Sequence, residues 1–347
     1  MRTRRTITVV GCHAEGEIGD VVTGGILPPA GATMFERMVT MRRDHDDIRR
    51  FLLCEPRGHV GRHVNILTPP LLPGCDAGMI IMEPTEYAPM SGSNLICTVT
   101  VLLETGILVM REPETIVMMD TPAGPVRAVA TCRDGKCEAV EFANVACFVD
   151  RLDAMLEVEG HGTVAADIAF GGMFYALVDA TALGFSLAAD EARDLAVLGE
   201  RVRRAARTQL EVVHPENPGI AGVSIVQLNA PFRGPGEATR NTCIVAPGRS
   251  DRSPTGTGTC ARMAVLRARG QMAVGETLIH ESLIGSRFEG RIVADTRIAG
   301  RPAILPTLKG RAWITGLHTY LLDPDDPYPA GYVLGDTWGV SGAVTQD

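Results

Sequence analysis

The sequence predicts a mixed α/β (α+β) protein made of two pseudo-symmetric halves. Three observations predict it. The chain has 347 residues, enough for two domains that each bury a core. Short β-branched or alternating runs, separated by Gly, Pro and Asp, recur along its whole length. One motif, a hydroxyl-glycine-hydroxyl loop running into a mostly apolar helix, occurs twice, starting at Ser91 and again at Thr255.

The strand-like runs are Thr6–Val10, Met79–Met82, Thr115–Met119, Val126–Ala130, Glu138–Ala143, Gly222–Leu228 and Arg311–Tyr320. The basic N-terminus turns briefly apolar. It meets Gly11, Cys12, His13 and acidic residues before a signal-peptide core could form, so it reads as the first strand. Ile48–Leu53 belongs to a short helix. Asp190–Leu210 predicts a long amphipathic helix with Leu195, Leu198 and Val202 on one face. Arg201, Arg203, Arg204 and Arg207 on the other face read as a solvated surface.

The remaining two helices carry the repeat. Ser91-Gly-Ser-Asn-Leu-Ile-Cys-Thr-Val-Thr-Val-Leu-Leu-Glu-Thr-Gly106 superposes on Thr255-Gly-Thr-Gly-Thr-Cys-Ala-Arg-Met-Ala-Val-Leu-Arg-Ala-Arg-Gly270. Ser91 meets Thr255, Gly92 meets Gly256, Ser93 meets Thr257 and Gly106 meets Gly270. Each segment is a loop, an apolar helix and a terminal glycine, so each half is expected to hold one helix too apolar to lie on a surface. The expected domains are 1–150, joined by a C-terminal segment of about 326–347, and 151–325.

Composition narrows the function. Net charge is −8 and aromatics make up 5% of residues, so a nucleic-acid partner gains neither electrostatic attraction nor a stacking platform. The most apolar stretch, Leu95–Leu103, is far short of the roughly 20 residues a membrane-spanning helix needs, so no membrane partner is expected and the expected location is cytoplasmic. Nine cysteines lie without a framework spacing and read as structural or inert thiols. Cys132 and Cys137 flank a turn at Asp134-Gly135, but no second Cys/His pair completes a zinc site. His59 and His63 are four apart and lack a third ligand, so no metal is expected.

A helix start rich in Ser, Thr and Gly leaves backbone N–H groups free, and with the helix dipole these suit an anion. Two such starts could hold one carboxylate from both sides, with the hydroxyls of Ser91 and Thr255 on opposite faces of the bound molecule. That arrangement suits proton removal from, or delivery to, an α-carbon. Taken singly, each loop also reads as an ordinary N-cap, and Thr255–Thr259 lacks the lysine of a phosphate-binding loop.

Pro89-Met-Ser-Gly-Ser-Asn94 and Asp251-Arg-Ser-Pro-Thr-Gly-Thr-Gly258 resemble the two active-site loops of the proline racemase family. His13-Ala-Glu-Gly-Glu17, Glu55-Pro-Arg-Gly58, Gly171-Gly-Met-Phe-Tyr-Ala-Leu-Val-Asp179, His280-Glu-Ser-Leu-Ile-Gly285 and Asp323-Pro-Asp-Asp-Pro327 fit it too. The resemblance implies two halves, each a β-barrel-like sheet round a central helix (diaminopimelate epimerase-like), with the active site in the cleft between them. It implies no metal or organic cofactor and a small imino acid substrate such as hydroxyproline; a homodimer is an assembly open to it.

Family members typically carry cysteine at both hydroxyl positions, and one thiolate removes the α-proton while the opposite thiol returns one. Here Ser91 and Thr255 replace the two cysteines. Threonine at the second position resembles trans-3-hydroxy-L-proline dehydratases, and serine at the first resembles a subset of hydroxyproline epimerases. The expectation is therefore a trans-3-hydroxy-L-proline dehydratase that yields Δ1-pyrroline-2-carboxylate. An epimerase of 3- or 4-hydroxyproline, a catalytically silent binder of proline-like molecules and an isomerase of another amino acid stand as alternatives.

By the same resemblance Ser91 is the base at Cα and Thr255 faces the ring from the other side. Gly92, Ser93, Gly256 and Thr257 bind the carboxylate. Asp251 pairs with the substrate ammonium or, on spacing alone, forms an Asx turn. His13 lines the pocket or is structural.

Overall fold

The N-terminal run becomes a strand, as its Thr6–Val10 segment predicts, and pairs on both sides. The computed structural model describes residues 2–338. The chain divides into two units. One is built from the chain up to Phe142 and from Gly310 onward, the other from Ala143–Lys309.

The first unit runs β1 (Arg5–Ala14), β2 (Glu17–Gly24), α1 (Met34–Asp44), α2 (Asp46–Leu53), β3 (Arg62–Thr68), β4 (Ala77–Met82), β5 (Tyr87–Ala88), α3 (Gly92–Glu104), β6 (Glu114–Thr121), β7 (Gly124–Arg133) and β8 (Lys136–Ala143). The second runs β9 (Cys147–Val158), β10 (Gly162–Phe170), β11 (Phe174–Asp179), α4 (Ala192–Gln209), β12 (Val213–His214), β13 (Asn217–Ala221), β14 (Ile225–Asn229), β15 (Ala238–Val245), β16 (Arg249–Ser250), α5 (Gly256–Ala268), β17 (Thr277–Glu281), β18 (Arg287–Ile298) and β19 (Arg301–Gly310). Then β20 (Ala312–Leu322) and α6 (Gly335–Trp338) complete the first unit.

The two units repeat one topology. In the first, β1–β2 and β3–β4 are antiparallel, β2 and β3 are parallel across α1–α2, and β4 and β6 are parallel across α3. In the second, β10–β11 and β14–β15 are antiparallel, β11 and β14 are parallel across α4, and β15 and β17 are parallel across α5. β9 pairs with both β10 and β19, and β17–β18–β19 are consecutively antiparallel. The ring β9-β10-β11-β14-β15-β17-β18-β19 therefore closes into an eight-stranded barrel.

Two expected boundaries move. β20 pairs with β1 along its whole length, from Arg5↔Leu322 to Ala14↔Ala312, so it joins the first unit rather than the second. β9 pairs into the second barrel, so that unit begins before 151. Part of the expected C-terminal segment, 339–347, lies outside the described residues.

The repeated helices occupy equivalent positions. α3 touches β1, β2, β3, β7 and β20, while α5 touches β9, β10, β11, β17 and β18. Every residue from Gly92 to Leu103 is buried, as are Gly256–Ala261 and Met263–Leu266. A helix ringed by strands has no solvated face, which explains why neither segment is amphipathic. Gly106 and Gly270 end the two helices at φ 74° and 70°, a left-handed conformation that glycine adopts without steric cost.

The amphipathic helices instead cover the barrels from outside. In α4, Leu195, Leu198 and Val202 pack with Phe148, Val226 and Ile244. Gly199 lets the helix approach, since a Cβ there would meet Ile244 Cγ1 at 2.3 Å. In the first unit, Met34, Met38 and Met41 of α1 and Phe51, Leu52 and Leu53 of α2 pack on Ile7, Val9, Val64 and Ile80. The sequence reading passed over α1, although its start is legible: Thr33 Oγ1 accepts from Glu36 N at 3.1 Å, and Glu36 Oε2 accepts from Ala32 N at 2.7 Å. Asp134 and Gly135 take φ 53° and 74°, and the predicted turn joins β7 to β8 with Cys132 opposite Cys137.

One buried ion pair fastens β2 to β3. Arg62 Nη2 lies 2.6 Å from Asp20 Oδ2, and Asp20 Oδ1 accepts from Cys12 N at 3.0 Å. Asp20→Ala would leave the arginine charge buried and unpaired, so chemical denaturation is expected to show a loss of about 3–5 kcal/mol.

Candidate active site

In the first unit, the extended backbone of Ser91 (φ −146°, ψ 126°) turns the chain from β5 into α3, and its carbonyl accepts from Leu95 N at 3.0 Å. Ser91 occupies the N-cap position, yet its side chain makes no capping bond. Its Oγ instead accepts from Asn94 Nδ2 at 2.9 Å. The first-turn N–H groups of Gly92, Ser93 and Asn94 are therefore not claimed by the side chain that would ordinarily cap them.

Asn94 is fully buried and held on its other atoms as well. Its Oδ1 accepts from Asn65 Nδ2 at 2.9 Å, and its Nδ2 lies 3.2 Å from His63 Nδ1. Because an amide nitrogen only donates, this network fixes its own polarity. Ser91 Oγ and His63 Nδ1 are both acceptors, and the Ser91 hydroxyl proton stays available for an external partner. His63 sits between two carboxylates, with Nε2 3.6 Å from Glu17 Oε1 and Nδ1 3.9 Å from Glu83 Oε1.

The second unit repeats the arrangement with the opposite polarity. Thr255 stands at the N-cap of α5 and again its side chain makes no capping bond. Its Oγ1 donates to Asp251 Oδ2 at 2.7 Å, so its proton is committed to the carboxylate and the oxygen can act only as an acceptor toward a further partner. Asp251 Oδ1 accepts from Ser253 N at 2.8 Å and Ser253 Oγ at 2.9 Å, so the Asx turn expected as the alternative is present and coexists with the Thr255 bond. Asp251, Ser253 and Thr255 are all buried.

Thr255 has φ 63° and ψ 116°, a conformation that costs a β-branched residue about 1–3 kcal/mol. It is pinned at each polar atom. Its N donates to Ser253 Oγ at 3.1 Å, and its carbonyl accepts from Thr259 N at 2.9 Å and Thr259 Oγ1 at 2.8 Å.

The Thr257 hydroxyl shares a 2.6 Å hydrogen bond with buried Tyr175, so its backbone N–H, rather than its side chain, is the group left to meet a ligand. The Gly171-Gly172 pair explains itself here: a Cβ at 171 would lie 2.1 Å from Thr257 O, and one at 172 would lie 2.9 Å from Thr257 Cγ2. Gly171→Ala is expected to displace the first turn of α5 and to reduce turnover at least about a hundredfold, as a misplacement near 1 Å does. Steady-state kinetics on the purified variant checks this.

None of the nine cysteines takes a loop position. Cys243 lies beside Thr255, and burial pushes its thiol well above its usual range. Burial does the same to Cys97 in α3. Both remain protonated at neutral pH, which removes them as bases.

His13 accepts from Gly16 N at 3.1 Å and stacks on Trp313 with ring centres 5.2 Å apart. It lines a cavity of about 560 Å³ with Asp20, Arg57, His59, Arg62 and His318, a lining that does not include Ser91. Sequence reasoning missed Asn94 as the partner of Ser91 and His63 as a partner of Asn94. The three-residue spacing from Ser91 to Asn94 on the first helical turn was the available signal; His63 comes from a distant strand and gave none.

Residues 9–333 match the family model described as proline racemase. The chain belongs to the proline racemase family. Two solved structures resemble it over nearly their full length. A hydroxyproline epimerase from Agrobacterium vitis, solved with bound trans-4-hydroxy-L-proline, is 41% identical over 99% of both chains, with a TM-score of 0.93. A probable proline racemase from Agrobacterium radiobacter K84, solved with bound carbonate, is 42% identical over 97% of this chain and 99% of that one, with a TM-score of 0.92. A PhzF-family phenazine biosynthesis protein from Bacillus anthracis is 13% identical with a TM-score of 0.56, and shares the fold.

Proposed function

We propose that this protein is a hydroxyproline 2-epimerase. The observation that carries the proposal is the opposite polarity of the two loop hydroxyls: Ser91 has a proton to give, and Thr255 has a lone pair to offer with a carboxylate behind it. Inversion at Cα needs such a pair, an acid on one face and a base on the other. The resemblance to a hydroxyproline epimerase over 99% of the chain supports the same reading.

This reading requires the substrate carboxylate to be held by the N–H groups of Gly92, Ser93, Gly256 and Thr257, at the first turns of α3 and α5. Inversion requires the Cα to meet both hydroxyls. Thr255 Oγ1 accepts the Cα proton as its own proton passes to Asp251, which ends protonated. Ser91 donates its proton to the opposite face, and the Asn94 N–H stabilises the charge left on Oγ. Proton exchange with water restores both groups. The role of Ser91 is thereby reversed from the sequence expectation: it is the donor, and Thr255 with Asp251 is the base.

One observation favours the dehydratase reading as a second. A carboxylate accepts the hydroxyl proton of Thr255, while the Ser91 hydroxyl is met by an amide. Elimination of a 3-hydroxyl after Cα deprotonation needs only one such base.

Proton NMR in heavy water, with trans-4-hydroxy-L-proline and trans-3-hydroxy-L-proline as separate substrates, decides between them. Epimer interconversion with deuterium at Cα is the expected result. Loss of the 3-hydroxyproline signals with new pyrroline signals would select the dehydratase. Calorimetric binding without any Cα exchange would leave a silent binder and refute both.

A further inference from the structure

Thr255 holds its positive-φ conformation only because its surroundings over-determine it, and the outermost of those contacts ends on a histidine that no step above uses. His280 on β17 is fully buried against α5. Its Nδ1 lies 2.9 Å from Thr259 Oγ1. The Thr259 hydroxyl has a single proton, which it donates to the Thr255 carbonyl at 2.8 Å. It must therefore accept from His280, which places the imidazole proton on Nδ1. His280 Nε2 has no hydrogen-bond partner among the described residues. The ring is thus anchored by one bond, directed along a line from His280 through Thr259 to the backbone of Thr255.

We propose that His280 is a positioning residue for Thr255, acting through the hydroxyl of Thr259. The inference deepens the epimerase reading and rests on Thr255 being the residue that meets Cα. The His280 N–H fixes the rotamer of Thr259; the Thr259 hydroxyl and its own N–H then hold the Thr255 carbonyl from two directions. With the carbonyl fixed on this side and Oγ1 fixed by Asp251 on the other, the hydroxyl has one orientation toward the substrate. The imidazole is not a proton carrier in this role. Burial first, and the nearby Arg262 charge second, push its pKa down to about 3, so it stays neutral wherever the enzyme is folded and working.

The test compares His280→Leu, Thr259→Val, His280→Asn and His280→Gln in Cα exchange kinetics with trans-4-hydroxy-L-proline. Leu and Val remove the relay at nearly constant volume and are expected to lower kcat about ten- to a hundredfold with KM within about threefold, the size of one lost buried hydrogen bond. The double variant is expected to be no slower than the worse single one, because both break the same line. Asparagine presents an amide nitrogen near the place of Nδ1 and is expected to restore most of the rate; glutamine, whose amide mimics Nε2, is not. A purely structural role would not separate asparagine from glutamine.

Unchanged kcat in Thr259→Val, or equal loss in the asparagine and glutamine variants, would overturn the proposal. Should the leucine variant fail to fold, the asparagine–glutamine comparison and Thr259→Val still decide it. ¹⁵N NMR of the wild-type imidazole supplies an independent arm that needs no turnover: a protonated Nδ1 and bare Nε2 are expected, and the reverse tautomer refutes the relay. If the wild type shows no Cα exchange with any hydroxyproline, the functional reading fails while this tautomer measurement still judges the geometry.

Discussion

Asp251→Asn is expected to lower kcat for Cα proton exchange by about two to four orders of magnitude, the usual contribution of a positioned general base. The variant isolates chemistry from architecture. Asparagine Oδ1 can still accept from Ser253 and keep the turn, and the amide can still contact Thr255. What is lost is the carboxylate that receives the Thr255 proton. KM is therefore expected to change little, and thermal stability to stay within a few degrees. A variant that turns over at the wild-type rate would show that Thr255 and Asp251 are not the base.

The second large effect separates the two faces. Ser91→Ala removes the donor and nothing from the Thr255 side. For an epimerase, interconversion of the two epimers is expected to fall by about two to four orders of magnitude. Deuterium wash-in with retention, in whichever epimer presents its Cα–H to Thr255, is expected to survive within about tenfold. Chiral chromatography combined with NMR reads both quantities from one incubation. A one-base dehydratase would instead keep pyrroline formation in this variant. If inversion itself survives at the wild-type rate, Ser91 is not the acid and the two-faced mechanism is wrong.

Asn94 gives these two experiments their asymmetry. It donates to Ser91 and to His63, and accepts from Asn65, so two elements, α3 and β3, together set the polarity of one hydroxyl. On the other side, Asp251, Ser253 and Thr255 form a local loop whose bonds span at most four residues. The second loop was correspondingly more legible in the sequence. Its Asx turn follows from spacing, and its spelling is the most specific signature in the chain. The polarity of the first loop was not legible, because Asn65 and His63 reach Asn94 from a strand about thirty residues away.

The amino-acid sequence by itself determined the repeat, the two buried helices, the amphipathic α4 and the identity of both loops. Hydroxyl-glycine spelling, apolar periodicity and terminal glycines are local properties, written within a few residues of where they act. The tertiary structure decided which strand belongs to which unit, since β20 finds β1 across almost the entire chain. It also decided the direction of each hydroxyl proton. That direction depends on which donor or acceptor a distant element brings to the oxygen, and no spacing along a chain encodes the far end of a hydrogen bond.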